Sequence, residues 1–225
     1  MVTRKEFIAF VAPIAIKLRL EGSPIFPSVR IAQALLETGG AINTWNNLVG
    51  YKVGNGVLTL YWRGDRASAT TWEIIDGDIQ AKPGDFRAYA SIEDGFMDQD
   101  LLFQSSRYTA VRAASTAQSQ TTALQASGYA TDPNYASKLN AIMATEGLNI
   151  FDEEVIRMLE QLKAQIEELT NRVQSLEEQA GLTSIPTWAQ SAIDAAVKAG
   201  LIDTPEQGSY DFYRVLTVLH RKGII

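Results

Sequence analysis

The stretch SVRIAQALLETGG, residues 28–40, decides how the first part of the chain is interpreted. Its apolar and small residues recur at helical spacing, Ser28 is a favoured N-cap residue, and the closing glycine pair is a favoured helix end. One carboxylate, Glu37, lies in the last turn, directly after Leu36. We therefore predict a helix that Ser28 caps and that carries an acid at its C-terminal turn.

The composition is that of an ordinary globular chain, long enough for one sizeable domain and a smaller part. The 225 residues carry a formal net charge of −6 and include no cysteine and one histidine, His220. This excludes disulfides, thiolate nucleophiles and cysteine-bound metals, and one histidine cannot build a multi-histidine metal site. With no basic stripe to neutralise phosphates, nucleic acid is not an expected partner. We expect no cofactor and no metal.

The N-terminal residues have some features of an export signal, because Arg4 and Lys5 precede the apolar run FIAFVAPIAI. Against this, Thr3 and Glu6 have the spacing of a capping box, and no small-residue cleavage site follows. We predict a helix of the folded protein, without a recognised signal peptide, and no run long enough to span a membrane.

Residues 53–90 differ from the helical patterns on either side. The segments GVLTLYW and TTWEIIDGDIQAK are rich in β-branched and aromatic residues, with Asp76 and Gly77 as a hairpin turn. Further helices are predicted from Ser91 toward Tyr108, over 113–126, and from Asp132 as N-cap. Helices around a small antiparallel lobe make an α+β domain.

Four motifs carry a resemblance to a known family: SVRIAQALLET, NNLVGYK, FRAYAS and GYATDPNYASKL. Over residues 4–151 the chain resembles the glucosaminidases of glycoside hydrolase family 73, lysozyme-like enzymes that cleave the glycan of bacterial peptidoglycan. The chain departs from the family pattern at Thr38, where serine is usual, and at Val49, where phenylalanine is usual. The resemblance implies a lysozyme-like helical domain with a small β-lobe.

The resemblance places the catalytic acid of the family at Glu37. Glycoside cleavage needs a proton for the leaving oxygen, and a carboxylic acid with a raised pKa is the usual donor. Leu35 and Leu36 provide apolar surroundings, and the partial negative charge at a helix C-terminus also disfavours the carboxylate. We therefore predict Glu37 as the general acid.

A second carboxylate is expected in the β-lobe. The segment TTWEI aligns Glu73 with the T-x-E pattern of the family, in which such an acid orients or activates water. Asp65, Asp76 and Asp78 are alternatives in the same lobe. The 2-acetamido group of the sugar is another alternative, because some glycosidases use the substrate in place of a second acid.

Three further residues are predicted to bind substrate: Tyr129, Asn47 and Trp72. The resemblance implies that Tyr129 lines the cleft beside the acid. For Asn47, as for Asn46, bracing the loop under the cleft is the stronger interpretation. Trp72 and Trp62 are candidates for stacking on sugar rings, although tryptophans in such a lobe are equally often structural.

Residues 152–180 contain a heptad pattern without a slip. The a positions are Leu159, Ile166 and Val173, and the d positions are Val155, Leu162, Leu169 and Leu176. We predict a coiled coil that makes the protein a parallel homodimer, with a trimer as the main rival and a single linking helix as the other alternative.

Residues 181–225 form a predicted small helical module, similar to the terminal cell-wall-anchoring modules of lysins. The predicted domains are therefore 1–151, 152–180 and 181–225. The predicted partner is peptidoglycan, and a secondary cell-wall polymer is a further candidate. We expect a peptidoglycan hydrolase that cleaves the β-1,4 bond after N-acetylglucosamine. An endolysin of a phage or prophage, held in the host cytoplasm until a holin releases it to the cell wall, fits this reading. A non-catalytic glycan-binding or virion protein is the alternative.

Overall fold

Nine helices and one β-hairpin form the described part of the computed structural model, residues 2–75 and 78–225, with the backbone alone for 71–75, 78–81 and 178–180. The helices are α1 (Arg4–Leu20), α2 (Pro27–Thr38), α3 (Ile92–Phe103), α4 (Thr109–Arg112), α5 (Ala117–Ala126), α6 (Tyr135–Glu146), α7 (Asn149–Ala180), α8 (Gln190–Lys198) and α9 (Tyr210–Arg221). The strands are β1 (Arg66–Ile75) and β2 (Asp78–Arg87). No helix in these ranges has the length and apolarity needed to cross a bilayer. The predicted combination of helices and a small antiparallel lobe is confirmed.

The chain divides into two compact units, Met1–Leu159 and Glu160–Ile225. In the first unit α2 is the most buried element, because every residue from Pro27 to Leu35 is buried. Helices α1, α5 and α6 pack against it. The fold thus surrounds the helix that carries Glu37 and leaves only its C-terminal turn open.

Helix α1 begins as the sequence predicts. The Glu6 amide donates to the Thr3 hydroxyl at 3.3 Å, and the Glu6 carboxylate accepts from the Thr3 amide at 2.8 Å. This reciprocal pair satisfies two of the amides that a helix start leaves without partners. Pro13 lies inside α1, which continues to Leu20.

The start of α2 differs from the prediction. The helix begins at Pro27, Phe26 is its N-cap residue, and Ser28 is not the cap. Proline suits the first helical position because its fixed φ fits the helix and it has no amide hydrogen to satisfy. The Ser28 amide and hydroxyl instead donate to the two carboxylate oxygens of Asp152, at 2.9 and 2.5 Å. A carboxylate from α7 therefore lies at the positive end of α2.

The β-lobe is smaller than predicted. β1 and β2 pair antiparallel from Arg66 opposite Arg87 to Ile75 opposite Asp78, and the predicted turn at 76–77 lies outside the described residues. The segment GVLTLYW, expected as a strand, is irregular. Its backbone turns because the Thr59 amide donates to the Trp62 carbonyl at 3.1 Å and the Trp62 amide to the Thr59 hydroxyl at 2.9 Å.

Two helix starts lie later than predicted. α5 begins at Ala117 rather than at 113, because Thr116 and Ser119 form its capping box. α6 begins at Tyr135, and Asp132 is not its N-cap. The Asp132 carboxylate accepts from the Asn134 amide at 2.9 Å and so closes a turn before the helix.

Helix α7 is continuous across the predicted boundary between residues 151 and 152. Asp152 contacts α2, as described above, and Val155 is 4 % exposed. The first unit therefore extends to Leu159, beyond the predicted end at 151. Burial of Val155 in the first unit also removes it from the predicted seam, although its spacing fits the heptad.

The module after α7 has its own small core, formed by α8, α9 and the loops beside them. Its buried members are Ala189, Ile193, Ala196, Tyr213 and Leu216. The helical spacing of the sequence predicts one apolar face at Trp188, Ile193, Val197 and Leu201 and another at Val215, Leu216 and Leu219. Of these, Ile193, Leu216 and Leu219 belong to the core. The exposed members are Trp188, Val197, Leu201 and Val215.

Candidate active site

A groove in the first unit has Glu37 at its middle. On one side a cavity of about 590 Å³ is lined by residues of the loop after α2 and by Ala69, Thr70 and Phe86 of the hairpin. On the other side a cavity of about 460 Å³ is lined by Tyr108, Tyr129 and neighbouring residues. Glu37, Gly50 and Lys52 line both cavities. A chain laid along the groove would therefore pass over Glu37.

The Glu37 carboxyl is placed for proton donation. Helix α2 ends directly after it, since Gly39 adopts a left-handed φ of 64°, as predicted. The Glu37 carboxyl has no hydrogen bond or ion pair with any other described residue. Glu37 is exposed to the solvent of the groove. The walls of the groove nevertheless exclude much of the water around the carboxyl, and this burial raises its pKa above the usual 4.5.

Gly50 brings the loop NNLVGYK close to this carboxyl. Its φ is 65°, and a Cβ built at this position would lie 3.1 Å from Oε2 of Glu37. Glycine allows both the left-handed backbone and the short separation. The loop therefore forms a wall of the groove directly beside the acid.

Tyr129 lies on the other side of the acid, in an aromatic cluster. Its ring centroid is 5.6 Å from that of Phe103 and 5.7 Å from that of Tyr135. Its hydroxyl accepts a hydrogen bond from Gln99 Nε2 at 2.8 Å. Burial, followed by the charge of Glu37, raises the pKa of the phenol, which therefore stays protonated at neutral pH. The structure thus brings Tyr129 and Glu37 to one cavity.

Asn47 lines the first cavity, but its amide is fully used by the backbone. Nδ2 donates to the carbonyls of Tyr51 and Arg87 at 2.9 and 2.8 Å, and Oδ1 accepts from the Tyr51 amide at 3.0 Å. The geometry supports the bracing interpretation, which joins the loop to β2. Contact of Asn47 with substrate stays a prediction.

The β-lobe is fixed to α3 through a buried ion pair. Arg87 donates to Asp98 at 2.6 Å, and Tyr89 donates to the same carboxylate oxygen at 2.8 Å. The Arg87 guanidinium also stacks on the rings of Tyr51 and Trp62, at 4.4 and 4.3 Å. Trp62 is 1 % exposed, so the structural interpretation is right for this tryptophan and stacking on sugar is excluded.

The predicted second carboxylate, Glu73, and the predicted sugar-binding Trp72 have side chains that the structure does not describe. The backbone pairs Glu73 with Gln80 and Trp72 with Ala81 across the hairpin. The alternatives Asp76 and Asp78 also have side chains that the structure does not describe. Asp65 is described and is exposed, and it lines neither cavity of the groove.

Gln99 and Arg30 belong to the site but were not anticipated from the sequence. Arg30, on α2, is fully buried, and its Nη1 donates to Gln99 Oε1 at 3.0 Å. The only signal in the sequence is an arginine within an apolar helix, seven residues before Glu37. Among the described side chains, no cluster of three or more histidine, aspartate or glutamate residues is arranged to hold a metal.

A family model described as Glucosaminidase, mannosyl-glycoprotein endo-beta-N-acetylglucosaminidase, matches residues 12–148. The chain belongs to the glucosaminidase family. The matched range contains every described residue of the groove. The resemblance to glycoside hydrolase family 73 is thereby confirmed.

Known relatives of this glucosaminidase domain include the peptidoglycan hydrolase FlgJ of Salmonella typhimurium, 36 % identical over 143 residues, or 62 % of this chain and 45 % of FlgJ. The exo-glucosaminidase LytG of Bacillus subtilis is 34 % identical over 139 residues, or 57 % of this chain and 47 % of LytG. The solved catalytic domain of the autolysin Auto from Listeria monocytogenes is 29 % identical, with a TM-score of 0.55 over 66 % of this chain and 87 % of that domain. The chain spans less than half the length of the two curated relatives.

Proposed function

We propose that the chain is a peptidoglycan hydrolase that cleaves the β-1,4 bond after N-acetylglucosamine, with Glu37 as general acid. One observation carries the proposal: an acid with a raised pKa lies at the middle of a groove that continues on both sides of it. The names of the relatives, a peptidoglycan hydrolase and a glucosaminidase, support the substrate class.

In the proposed reaction the protonated Glu37 gives its proton to the oxygen of the leaving sugar as the glycosidic bond breaks. Positive charge then develops at the anomeric carbon, and water completes the hydrolysis. Glu73 is proposed to activate that water or to orient the 2-acetamido group that attacks in its place. Tyr129, whose phenol is neutral, is proposed to hydrogen-bond the sugar beside the acid.

Replacement of Glu37 by glutamine tests this assignment. Glu37→Gln keeps the shape of the side chain and removes its proton, so the rate of wall lysis should fall at least about a hundredfold. Glu153→Gln, at an exposed position on α7, is the matched control and should lyse walls at the normal rate. Turbidity loss of purified cell walls measures both. Near-normal lysis by Glu37→Gln would contradict the assignment.

The bond that is cut is a separate test. Mass spectrometry of the released fragments identifies the sugar at the new reducing end. N-acetylglucosamine at that end supports the proposed specificity, and N-acetylmuramic acid contradicts it. Binding of walls by the wild-type chain without any release would instead indicate the non-catalytic alternative.

We also propose that α7 pairs with a second copy of the chain. Six apolar side chains at a and d positions are 41–62 % exposed: Leu159, Leu162, Ile166, Leu169, Val173 and Leu176. Pairing would cover this stripe and present two copies of residues 181–225 to one wall. Once one copy of this module has bound the wall, binding of the second copy is intramolecular. Two weak sites therefore hold the wall more tightly than one site does.

We propose the endolysin role because the sequence of residues 181–225 predicts a module of the kind that anchors lysins to the cell wall. Expression in a bacterial host with and without a holin tests it. Lysis that depends on the holin supports release from the cytoplasm, and lysis in its absence contradicts that route.

A further inference from the structure

A chain of buried polar groups runs from α3 through α2 to the groove. Arg30 is 0 % exposed and forms an ion pair with Asp100 of α3. Its Nη2 also donates to the Ser23 hydroxyl at 2.7 Å, and its Nη1 donates to Gln99 Oε1 at 3.0 Å. Gln99 Nε2 in turn donates to the Tyr129 hydroxyl at 2.8 Å. The chain ends at a side chain that lines the cavity beside Glu37.

The chemistry of arginine fixes the direction of these hydrogen bonds. A guanidinium has five donors and no acceptor, so the Gln99 atom that faces Arg30 must be its oxygen. The amide nitrogen of Gln99 must then face Tyr129, and the phenol oxygen must accept. Because a phenol has one hydrogen and that hydrogen is not used toward Gln99, it remains available to an acceptor on another side of the oxygen.

We propose that Gln99, held by Arg30, is a positioning residue that directs the hydroxyl hydrogen of Tyr129 into the groove beside Glu37. The inference rests on the proposed function, because it assigns the orientation of a group in the same site. The acceptors in the groove are oxygens of the bound sugar and the Glu37 carboxylate that forms as its proton leaves. A hydrogen bond to either of these promotes the reaction only when the phenol donates it.

A second glutamine–tyrosine pair in the same unit provides a comparison. Gln33 Nε2 donates to the Tyr135 hydroxyl at 2.9 Å. Tyr135 is buried and lines neither cavity of the groove, and Gln33 Oε1 has no partner among the described residues. This pair repeats the hydrogen bond from an amide to a phenol without lining either cavity of the groove, so its loss should lower stability and leave kcat unchanged.

Gln99→Glu tests the direction of the hydrogen bond. The substituted side chain has nearly the same shape and can still accept from Arg30, but its second oxygen accepts from Tyr129 instead of donating to it. The phenol hydrogen then turns toward residue 99. We expect kcat on soluble glycan strands to fall about tenfold, the effect of one hydrogen bond, with KM little changed.

A double-mutant cycle separates positioning from a structural role. In a Tyr129→Phe background no hydroxyl remains to be oriented, so Gln99→Glu should lower kcat no further. Gln99→Met removes the donor without adding charge. It should lower kcat in the wild-type background and, like Gln99→Glu, should lower kcat no further in the Tyr129→Phe background. Gln33→Met is the matched control and should lower the melting temperature without lowering kcat.

The outcomes distinguish the two proposals. The role of Gln99 would be overturned by normal kcat in both Gln99→Glu and Gln99→Met. It would also be overturned if these substitutions lowered kcat as much in the Tyr129→Phe background as in the wild-type chain. Neither result would contradict the proposed function. A wild-type chain that releases no fragments from glycan contradicts the proposed function and, with it, this inference.

Discussion

The surroundings of Glu37 make the stability of the fold depend on pH. Burial raises the pKa of the carboxyl, so the folded chain keeps this proton over a pH range in which the unfolded chain has released it. The stability that the protonated form contributes is complete below the unfolded value near 4.5 and is lost as pH rises through the raised folded value.

Glu37→Gln should therefore be more thermostable than the wild-type chain at neutral pH, because glutamine is never ionised. The difference in melting temperature should shrink as the pH falls and disappear below about 4.5, where both side chains are neutral. Thermal denaturation from pH 3 to pH 8 measures it. A difference that is constant across this range would show that ionisation of Glu37 has no part in it.

At the scale of single residues, the sequence predicts some members of the groove and not others. Glu37 and Tyr129 belong to long, specific motifs, so their joint presence at one cavity could be expected. Arg30 and Gln99 could not be paired from the sequence, because a buried polar residue has no periodicity that reveals its partner. Glu73 stays a prediction.

The start of α2 depends on a residue that is distant in the sequence. No side chain of the preceding loop caps this helix, and Asp152 of α7 accepts from the Ser28 amide and hydroxyl. A carboxylate at this position satisfies an otherwise unpaired amide and interacts favourably with the positive end of the helix.

Asp152→Ala should lower the free energy of unfolding by about 1–2 kcal/mol, the usual effect of losing a helix cap. Asp152→Asn should cost less, because its amide oxygen still accepts from Ser28 and its nitrogen can donate to the hydroxyl. Glu153→Ala, at the next and exposed position, is the control. Urea denaturation measures all three. Equal stability of Asp152→Ala and the control would contradict the capping role.

Local signals predicted the elements whose partners are close in the sequence. The capping box at Thr3 and the glycine end of α2 are examples, because both depend on residues within one turn. GVLTLYW was wrong as a strand, since its composition suits a strand but its Thr59 hydroxyl and buried Trp62 favour a turn. Ser28 was wrong as the N-cap because its hydrogen-bond partner, Asp152, is distant in the sequence and local signals do not reveal it.

At the scale of the whole molecule, the exposed stripe of α7 predicts a dimer. Isoleucine and valine at a positions with leucine at d positions favour two parallel strands. Sedimentation equilibrium at micromolar concentration should give twice the mass of the chain. A monomer contradicts the coiled coil, and a trimer contradicts only the number of strands.

Charge placed in the stripe should separate the copies. Leu162→Asp with Leu169→Asp should give monomers that still cleave soluble glycan but bind cell walls less tightly. Ala164→Asp with Asn171→Asp introduces the same charges at f positions, away from the seam, and is the matched control. Equal masses for the two double variants would show that the stripe is not the interface.

The continuity of α7 has a consequence for how such a seam forms. A free helix must first close one turn at an equilibrium constant of about 0.001, which makes short helices marginal in water. In this chain Asp152 and Val155 hold the first turns of α7 within a folded unit, so the nucleus already exists and the residues after Leu159 only extend it. The same sequence as a free peptide should be largely unfolded when unpaired, and loss of the first unit's fold should remove helix and seam together.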